Sequence, residues 1–446
     1  MNLPAKWQWF YEARYGMFIH FGPYSAIGLG EQSLFRDHFD QREYEKLACQ
    51  WSPRHMDAKL WAQHALAGGF KYAVLTTRHH DGYCLWDSHL TNYTSVQQAP
   101  KRDFVREYVD AFRAAGLRVG LYYSLADWRI PAYWSDPEKD PAAWSTFRDY
   151  VHGQVRELLT SYGPIDEFWF DGAWPHSARH WESEKLLAMM RSLQPSLLIN
   201  NRLDACSPFS PATGAVEAAG ESKILGDFGT PEHHITAESN RPWESCQTTT
   251  HRLWGYAPGE HWRTAEQLLD MLCDAASKGG NLLLNVGPDA DGRLPDAFLQ
   301  RSARIGKWLS LHREALINTD PNPRGGTDIT EFVTHGFQSV RGNHLYLILR
   351  FYHPSGQLRI ADLATRVTGA TLLSTGQPLP FTQNDDALII TGLPATQPCD
   401  LYPVIKLTCA DTPAAKPWMR ERLWSGDPTR FRDWAAARGH GFNASP

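Results

Sequence analysis

Along the first two hundred residues, five short apolar runs favouring β-structure alternate with four amphipathic helices. The runs are 17–22 (Met-Phe-Ile-His-Phe-Gly), 72–77 (Tyr-Ala-Val-Leu-Thr-Thr), 118–124, 167–171 (Glu-Phe-Trp-Phe-Asp) and 197–202 (Leu-Leu-Ile-Asn-Asn-Arg). Between them, helical spacing is read over 57–69, 103–116, 147–159 and 182–194. Continuous apolar runs are the mark of strands buried on both faces, and strand–helix alternation requires right-handed crossovers onto a parallel sheet. Each run ends in polar or ionisable residues. In a (β/α) barrel the carboxyl ends of the strands form the working face, so this pattern favours a TIM-like barrel over an open sheet. No glycine-rich phosphate loop follows any run, which counts against a nucleotide-binding sheet.

The later part of the chain continues the pattern and then changes it. Residues 203–242 are irregular and rich in Pro, Gly, Ala and Ser, a length that in a compact domain is usually functional or disordered. A helix over 264–277, a glycine-flanked strand near 281–286 and a helix over 296–312 complete a catalytic domain of residues 1–320. A Pro/Gly-rich linker at 319–327 leads to short β segments at 345–349, 367–373, 387–390 and 402–407. These predict a small antiparallel β-sandwich over 328–408, followed by an Arg/Trp-rich tail at 410–446 with no structural assignment. The fold class is therefore α/β, a barrel with a C-terminal sandwich.

Composition narrows the function classes. The net charge of −5 carries no long run of either sign, so no nucleic-acid footprint is expected. No apolar run is long enough to cross a membrane, and the N-terminus lacks the apolar core of a signal peptide. Seven scattered cysteines without a Cys-x-x-Cys pair suggest reduced thiols, hence a cytoplasmic protein. Aromatic residues make up 12% of the chain, with 18 Trp. Flat apolar rings at that density suit a pocket that stacks sugar faces, although many of them belong in the core.

The strand ends supply the chemistry. Asp171 terminates the fourth run, with Gly172 permitting a sharp turn or a close ligand behind it. Read alone, such an aspartate could equally cap the next helix. His20, His79, His80, Tyr123 and Arg202 end other runs, and a barrel would gather them at one mouth. Imidazoles and a phenol suit hydroxyl groups because each donates and accepts at a fixed point. A metal site built from His20, His79, His80 and Asp81 is a rival reading, weakened because adjacent strand residues face opposite ways. Glycoside hydrolysis needs a second carboxylate. Glu232 and Glu244 both qualify, and Glu232 reads equally as an acid in a first helical turn after Pro231. Spacing does not rank them.

These stretches resemble the α-L-fucosidases of glycoside hydrolase family 29. The resemblance is carried by residues 13–22, 71–88, 169–172 (Trp-Phe-Asp-Gly), 243–246 (Trp-Glu-Ser-Cys), 254–256 (Trp-Gly-Tyr) and 279–288, which together span the barrel; the sandwich at 328–408 fits as well. It implies a retaining exo-hydrolase of terminal α-linked L-fucose that needs no metal and no cofactor. Asp171 matches the nucleophile. His20, Glu31, His79, His80, Tyr123, Trp169 and Arg202 match positions that hold fucose or line its pocket. Glu232 is the first choice for the acid/base and Glu244 the reserve. The aromatic excess would then wall the C6 methyl of fucose. The Gly-Asp-Phe-Gly-Thr-Pro-Glu form at 226–232 is similar to the branch that prefers α-1,3/1,4-linked fucose, while Gln32 departs from the aromatic that many relatives carry there. Expected partners are fucosylated oligosaccharides or glycoconjugates, and a homo-oligomer is compatible with this reading. A non-catalytic fucose-binding protein and a metal-dependent barrel hydrolase are the alternatives.

Overall fold

A computed structural model of the chain describes residues 5–204, 225–238, 241–319, 335–352, 355–361, 363–385 and 387–414. Two compact units divide it: residues 1–275 with 280–310, and residues 276–279 with 311–446. The linker expected at 319–327 and the tail after 414 lie outside the described residues, apart from Thr319.

The first unit is built on β1 (Tyr15–Ile19), β2 (Tyr72–Arg78), β3 (Arg118–Ser124), β4 (Glu167–Asp171), β5 (Leu198–Ile199), β6 (Glu244–Thr248) and β7 (Asn281–Val286). Among the described residues these seven strands form one parallel sheet, in the order β5-β4-β3-β2-β1-β7-β6. Residues 228–232 link its two edges. Phe228 bridges Asn200 beyond β5, while Gly229 bridges Trp243 and Glu232 bridges Cys246 beside β6. Gly229 N donates to Pro242 O at 3.0 Å, and Cys246 N donates to Pro231 O at 3.1 Å. This irregular stave occupies the eighth position of the barrel. The segment read as a loop from its Pro and Gly content is thus, over 228–232, part of the wall.

Helix starts follow local chemistry. Asp57, Asp103 and Asp140 cap the helices Ala58–Ala67, Phe104–Ala114 and Pro141–Ser161 by accepting backbone N–H groups. The third helix begins six residues before the expected 147, because Asp140 caps it and Pro141 occupies its first turn. β6 went unread because Glu-Ser-Cys-Gln-Thr has no apolar signature, yet all five residues are buried. β5 is only two residues long. Beyond it the Asn200 side chain takes over the ladder, accepting from Phe170 N at 2.8 Å and donating to Phe170 O at 2.9 Å.

The barrel interior is filled by Phe18, Val74, Tyr122, Trp169, Leu198, Phe228, Cys246 and Leu283, roughly one from each stave, with Phe10 of the helix Ala5–Ala13 beside them. Period-two alternation therefore turns Glu167, Trp169 and Asp171 inward along β4, and Gly120, Tyr122 and Ser124 inward along β3.

The second unit pairs a five-stranded antiparallel sheet with a three-stranded one. The larger contains β8 (Gly336–Arg341), β9 (His344–Leu349), β11 (Val367–Leu372), β12 (Gln377–Pro378) and β15 (Val404–Cys409). The smaller contains β10 (Leu358–Ile360), β13 (Phe381–Gln383) and β14 (Leu388–Ile390). Leu345, Leu347, Leu372, Ile390, Ile405 and Leu407 form their shared core. Among the described residues, no helix is long and apolar enough to cross a membrane.

Candidate active site

Asp171 stands at the carboxyl end of β4. Its Oδ1 accepts from Arg202 Nη1 at 3.3 Å, and its Oδ2 accepts from the Tyr122 hydroxyl at 3.0 Å. Gly172 follows at φ +72°, and a Cβ there would lie 2.9 Å from Ser124 Oγ and from Ala126 Cβ, so the turn behind the carboxylate admits only glycine. Burial alone would raise the Asp171 pKa. The Arg202 guanidinium, His80, the Gly172 N–H and the Tyr122 hydroxyl outweigh it and hold the carboxyl below its usual value. An ionised carboxylate with its charge held at a strand end can act as a nucleophile.

Arg202 is fixed by the eighth stave. Its Nε donates to Thr230 Oγ1 at 2.9 Å and Nη2 to Thr230 O at 3.1 Å. The same Nη1 that meets Asp171 lies 2.7 Å from Glu232 Oε2. Two carboxylates from different staves thus meet one nitrogen, and their nearest oxygens lie no further apart than those two distances combined. The side chain of Glu232 is 36% exposed, and its Oε1 lies 3.6 Å from His233 Nε2.

Three imidazoles line the opposite side. A register shift between Thr76 and Arg78 ends β2, and His79 and His80 follow past the strand end, so both neighbours reach the mouth with ring centroids 4.0 Å apart. His79 stacks on Tyr122 at 5.6 Å, and His20 lies 5.6 Å from His79. The hydrogen-bond network assigns the ring protons. Asn285 Nδ2 donates to Trp254 O at 2.7 Å, so its Oδ1 accepts from His20 Nδ1–H at 2.6 Å. Ser124 Oγ donates to Ala126 O at 2.9 Å and therefore accepts from His80 Nδ1–H at 2.7 Å. Burial, the leading cause in each case, brings His20 down to about 3 and His80 to about 4, and His79 also falls well below its ordinary value. The rings are neutral near pH 7, and the Nε2 lone pairs of His20 and His80 are left as acceptors. His80 Nε2 sits 3.7 Å from Asp171 Oδ2, two acceptors separated by a gap that a hydroxyl proton would bridge. Among the described residues, no group of three His, Cys, Asp or Glu side chains could hold a metal ion.

The apolar wall comprises Phe18, Trp169 and Trp254. Phe18 packs on His20 at 4.5 Å and on Trp169 at 5.2 Å, and Trp254 packs on His20 at 5.3 Å. Glu31 is buried and fixes the Trp254 backbone: its Oε2 accepts from Trp254 N at 3.0 Å and from Gly255 N at 2.9 Å.

Two expected residues are found elsewhere. Tyr123 points out of the barrel, where it meets Arg78 and donates to Gln154 Oε1 at 2.8 Å. Its neighbour Tyr122 is the tyrosine at Asp171, and counting in twos back from the strand end would have shown it. Glu244 opens β6, so it lies at the amino end of the barrel staves, opposite the mouth. There it accepts from the Tyr72 hydroxyl and, at 3.2 Å, from Trp169 Nε1. Burial raises it to about 7, and its partner Glu167 stands well above the ordinary value, burial again being the main cause. The two act as one buried pair holding a proton. Sequence reading also assigned no role to Phe18 or Trp254, although both sit in stretches already singled out.

A barrel with an ionised strand-end aspartate, a second carboxylate at the same guanidinium and neutral imidazoles beside them has the composition of a glycoside hydrolase site. Comparison with known proteins makes the class specific. The α-L-fucosidase family model matches residues 2–314. α-L-Fucosidase isoenzyme 1 from Paenibacillus thiaminolyticus superposes with a TM-score of 0.81 at 35% identity, covering 91% of this chain and 99% of that one. A family 29 α-L-fucosidase from Bacteroides thetaiotaomicron gives 0.81 at 29%, covering 92% and 96%. The plasma α-L-fucosidase of Rattus norvegicus is 30% identical over 421 residues, 88% of this chain and 87% of the relative. The chain belongs to the α-L-fucosidase family, glycoside hydrolase family 29.

Proposed function

We propose that this enzyme removes terminal α-linked L-fucose from glycans by double displacement with retention. The observation that carries the reading is the meeting of Asp171 and Glu232 at one guanidinium nitrogen. That proximity suits a retaining enzyme, whose carboxyl groups stand about 5–5.5 Å apart, better than an inverting one, which needs about 6.5–9.5 Å. A further support is a family 29 structure from Bacteroides thetaiotaomicron, described as a covalent intermediate trapped with 2-fluoro-fucosyl fluoride in a Glu→Gln variant.

In this reading Asp171 attacks C1 and forms a glycosyl ester while Glu232, through its open Oε1, protonates the departing oxygen. Glu232 then takes a proton from the water that hydrolyses the ester. Arg202 offsets charge on both carboxylates as it passes from one to the other. His20 and His80 accept sugar hydroxyls at Nε2, and Phe18, Trp169 and Trp254 take the C6 methyl. The form of residues 226–232 supports a preference for α-1,3/1,4 linkages. Labelling with a 2-fluoro fucosyl inactivator, followed by peptide mass spectrometry, tests the core of this scheme. The label belongs on Asp171, and a label on any other residue would refute it.

A further inference from the structure

Beyond His80 a chain of aromatic rings runs from the mouth out to solvent. Trp128 packs on His80 with centroids 4.9 Å apart, Phe35 packs on Trp128 at 5.2 Å, and Trp134 stacks on Phe35 at 5.4 Å with planes 19° apart. Trp174, three residues after Asp171, meets His80 at 5.2 Å. Among the described residues four Phe or Trp side chains are exposed, and three of them belong to this patch: Phe35 at 51%, Trp134 at 52% and Trp174 at 37%. Core packing does not account for rings so open to water.

The rings are also held in place. Trp134 Nε1 donates to Trp128 O at 2.8 Å, and the Trp174 carbonyl accepts from the Tyr133 hydroxyl. Next to Phe35 stands Arg36, exposed and without an ion pair among the described residues, its charge reaching both His80 and Glu31. Flat, fixed, half-exposed rings beside a free guanidinium can recognise a sugar. The rings cover its apolar C–H face, and the guanidinium donates to its hydroxyl or amide oxygens. The patch is too small for a stable dimer contact. Three half-exposed rings offer on the order of 300 Å², against about 800 Å² per partner in a standard interface.

We infer that this patch is the leaving-group subsite, with Phe35 and Trp134 stacking the sugar from which fucose is cleaved and Arg36 hydrogen-bonding its oxygens. It selects oligosaccharides over simple glycosides. The inference rests on the fucosidase reading above, and the experiment separates the two. Wild type, Phe35→Ala and Trp134→Ala are assayed on α-L-fucosyl fluoride, which has no leaving sugar. They are also assayed on whichever α-1,2-, 1,3-, 1,4- or 1,6-linked fucosyl disaccharide the wild type cleaves fastest.

Each alanine variant should hydrolyse the fluoride within about twofold of wild type, while kcat/KM on the disaccharide falls about tenfold, mainly through KM, as expected for one lost apolar ring face. Phe35→Trp should restore it. Equal losses on both substrates, or no loss on the disaccharide, would overturn the subsite. A sedimentation shift to a smaller species in the variants would instead assign the patch to contact between copies, and so would also overturn it. If the wild type cleaves neither substrate, the fucosidase reading fails first.

Discussion

Two glutamates of one barrel, Glu232 and Glu244, lie twelve residues apart in the chain and stand at opposite ends of the barrel. Glu232 ends the irregular stave at the mouth, partly exposed, with one oxygen on Arg202 and the other 3.6 Å from His233. Glu244 begins β6 at the closed end, fully buried, with both oxygens accepting from Tyr72 and Trp169. The Trp169 ring connects the two ends, because the Arg202 guanidinium lies over it at 4.5 Å while its Nε1 reaches Glu244. What separates the open carboxylate from the sealed one here is which end of a parallel stave carries it, not the residue type. At the carboxyl end, side chains leave the sheet facing open space. At the amino end they are covered by the helix Ala5–Ala13, whose Phe10 carbonyl accepts from Asn281.

The sharpest break of this contrast is Asp171→Ala, which should lower kcat/KM on a nitrophenyl α-L-fucoside by on the order of 10⁴-fold while leaving the melting temperature near that of wild type. A variant that keeps most of its turnover would move the nucleophile elsewhere.

Next comes the pair itself. Glu232→Ala should cost about 10²–10⁴-fold on sugar leaving groups, far less on fucosyl fluoride, and azide should rescue its deglycosylation step. Glu244→Ala should instead strand the donors of Tyr72, Trp169 and Glu167 and destabilise the fold by about 3–5 kcal/mol. Whatever activity it loses should be lost equally on good and poor leaving groups, without azide rescue. Chemical denaturation alongside the two assays decides this, and a leaving-group dependence in Glu244→Ala would erase the distinction.

Of intermediate size is the tyrosine pair. Tyr122→Phe removes a donor to Asp171 and should reduce kcat/KM about 10–100-fold, since a hydrogen bond to a charged group contributes about 1.5–3 kcal/mol. Tyr123→Phe, on the outer face, should leave kcat/KM within about twofold, its effect of roughly 1 kcal/mol falling on stability.

Smallest is the dependence of stability on pH, which differs in sign between the two ends. His20 and His80 are depressed to about 3 and about 4 against an ordinary 6.5. Below pH 6.5 the unfolded chain binds protons that the folded one refuses, so their contribution, full above 6.5, is lost as pH falls toward 4. For His80, which faces Asp171, Glu232, Arg78 and Arg36, the loss is about 3 kcal/mol. Glu244 and Glu167 are raised, so the folded state keeps protons that the unfolded one releases near 4.5. Their contribution is full below that value and lost as pH rises through about 7. Thermal unfolding from pH 4 to 9 should show both limbs, and Glu244→Gln should flatten only the alkaline one. A flattened acid limb in that variant would contradict the assignment.

How much of this was legible beforehand depended on which force set each element. Six of the seven strands and the main barrel helices could be read because burial on both faces writes continuous apolar runs, and because Asp57 and Asp103 cap where the helical pattern begins. The same logic brought out Asp171, His20, His79, His80 and Arg202. β6 and the stave 228–232 could not be read. Their residues face an interior that accepts polar groups, so neither carries a continuous apolar run.

By itself, then, the sequence determined the alternation, the barrel and the carboxylate at the end of the Phe-Trp-Phe run, since apolar period and capping are local properties. The tertiary structure decided that a Gly-Thr-Pro-Glu stretch becomes a wall, that Tyr122 and not Tyr123 meets Asp171, and that Glu232 reaches the mouth while Glu244 is sealed at the other end. Register, inward parity and which end of a stave faces solvent are fixed only when every strand has found its neighbours, and one residue's slip in any of them would exchange the roles.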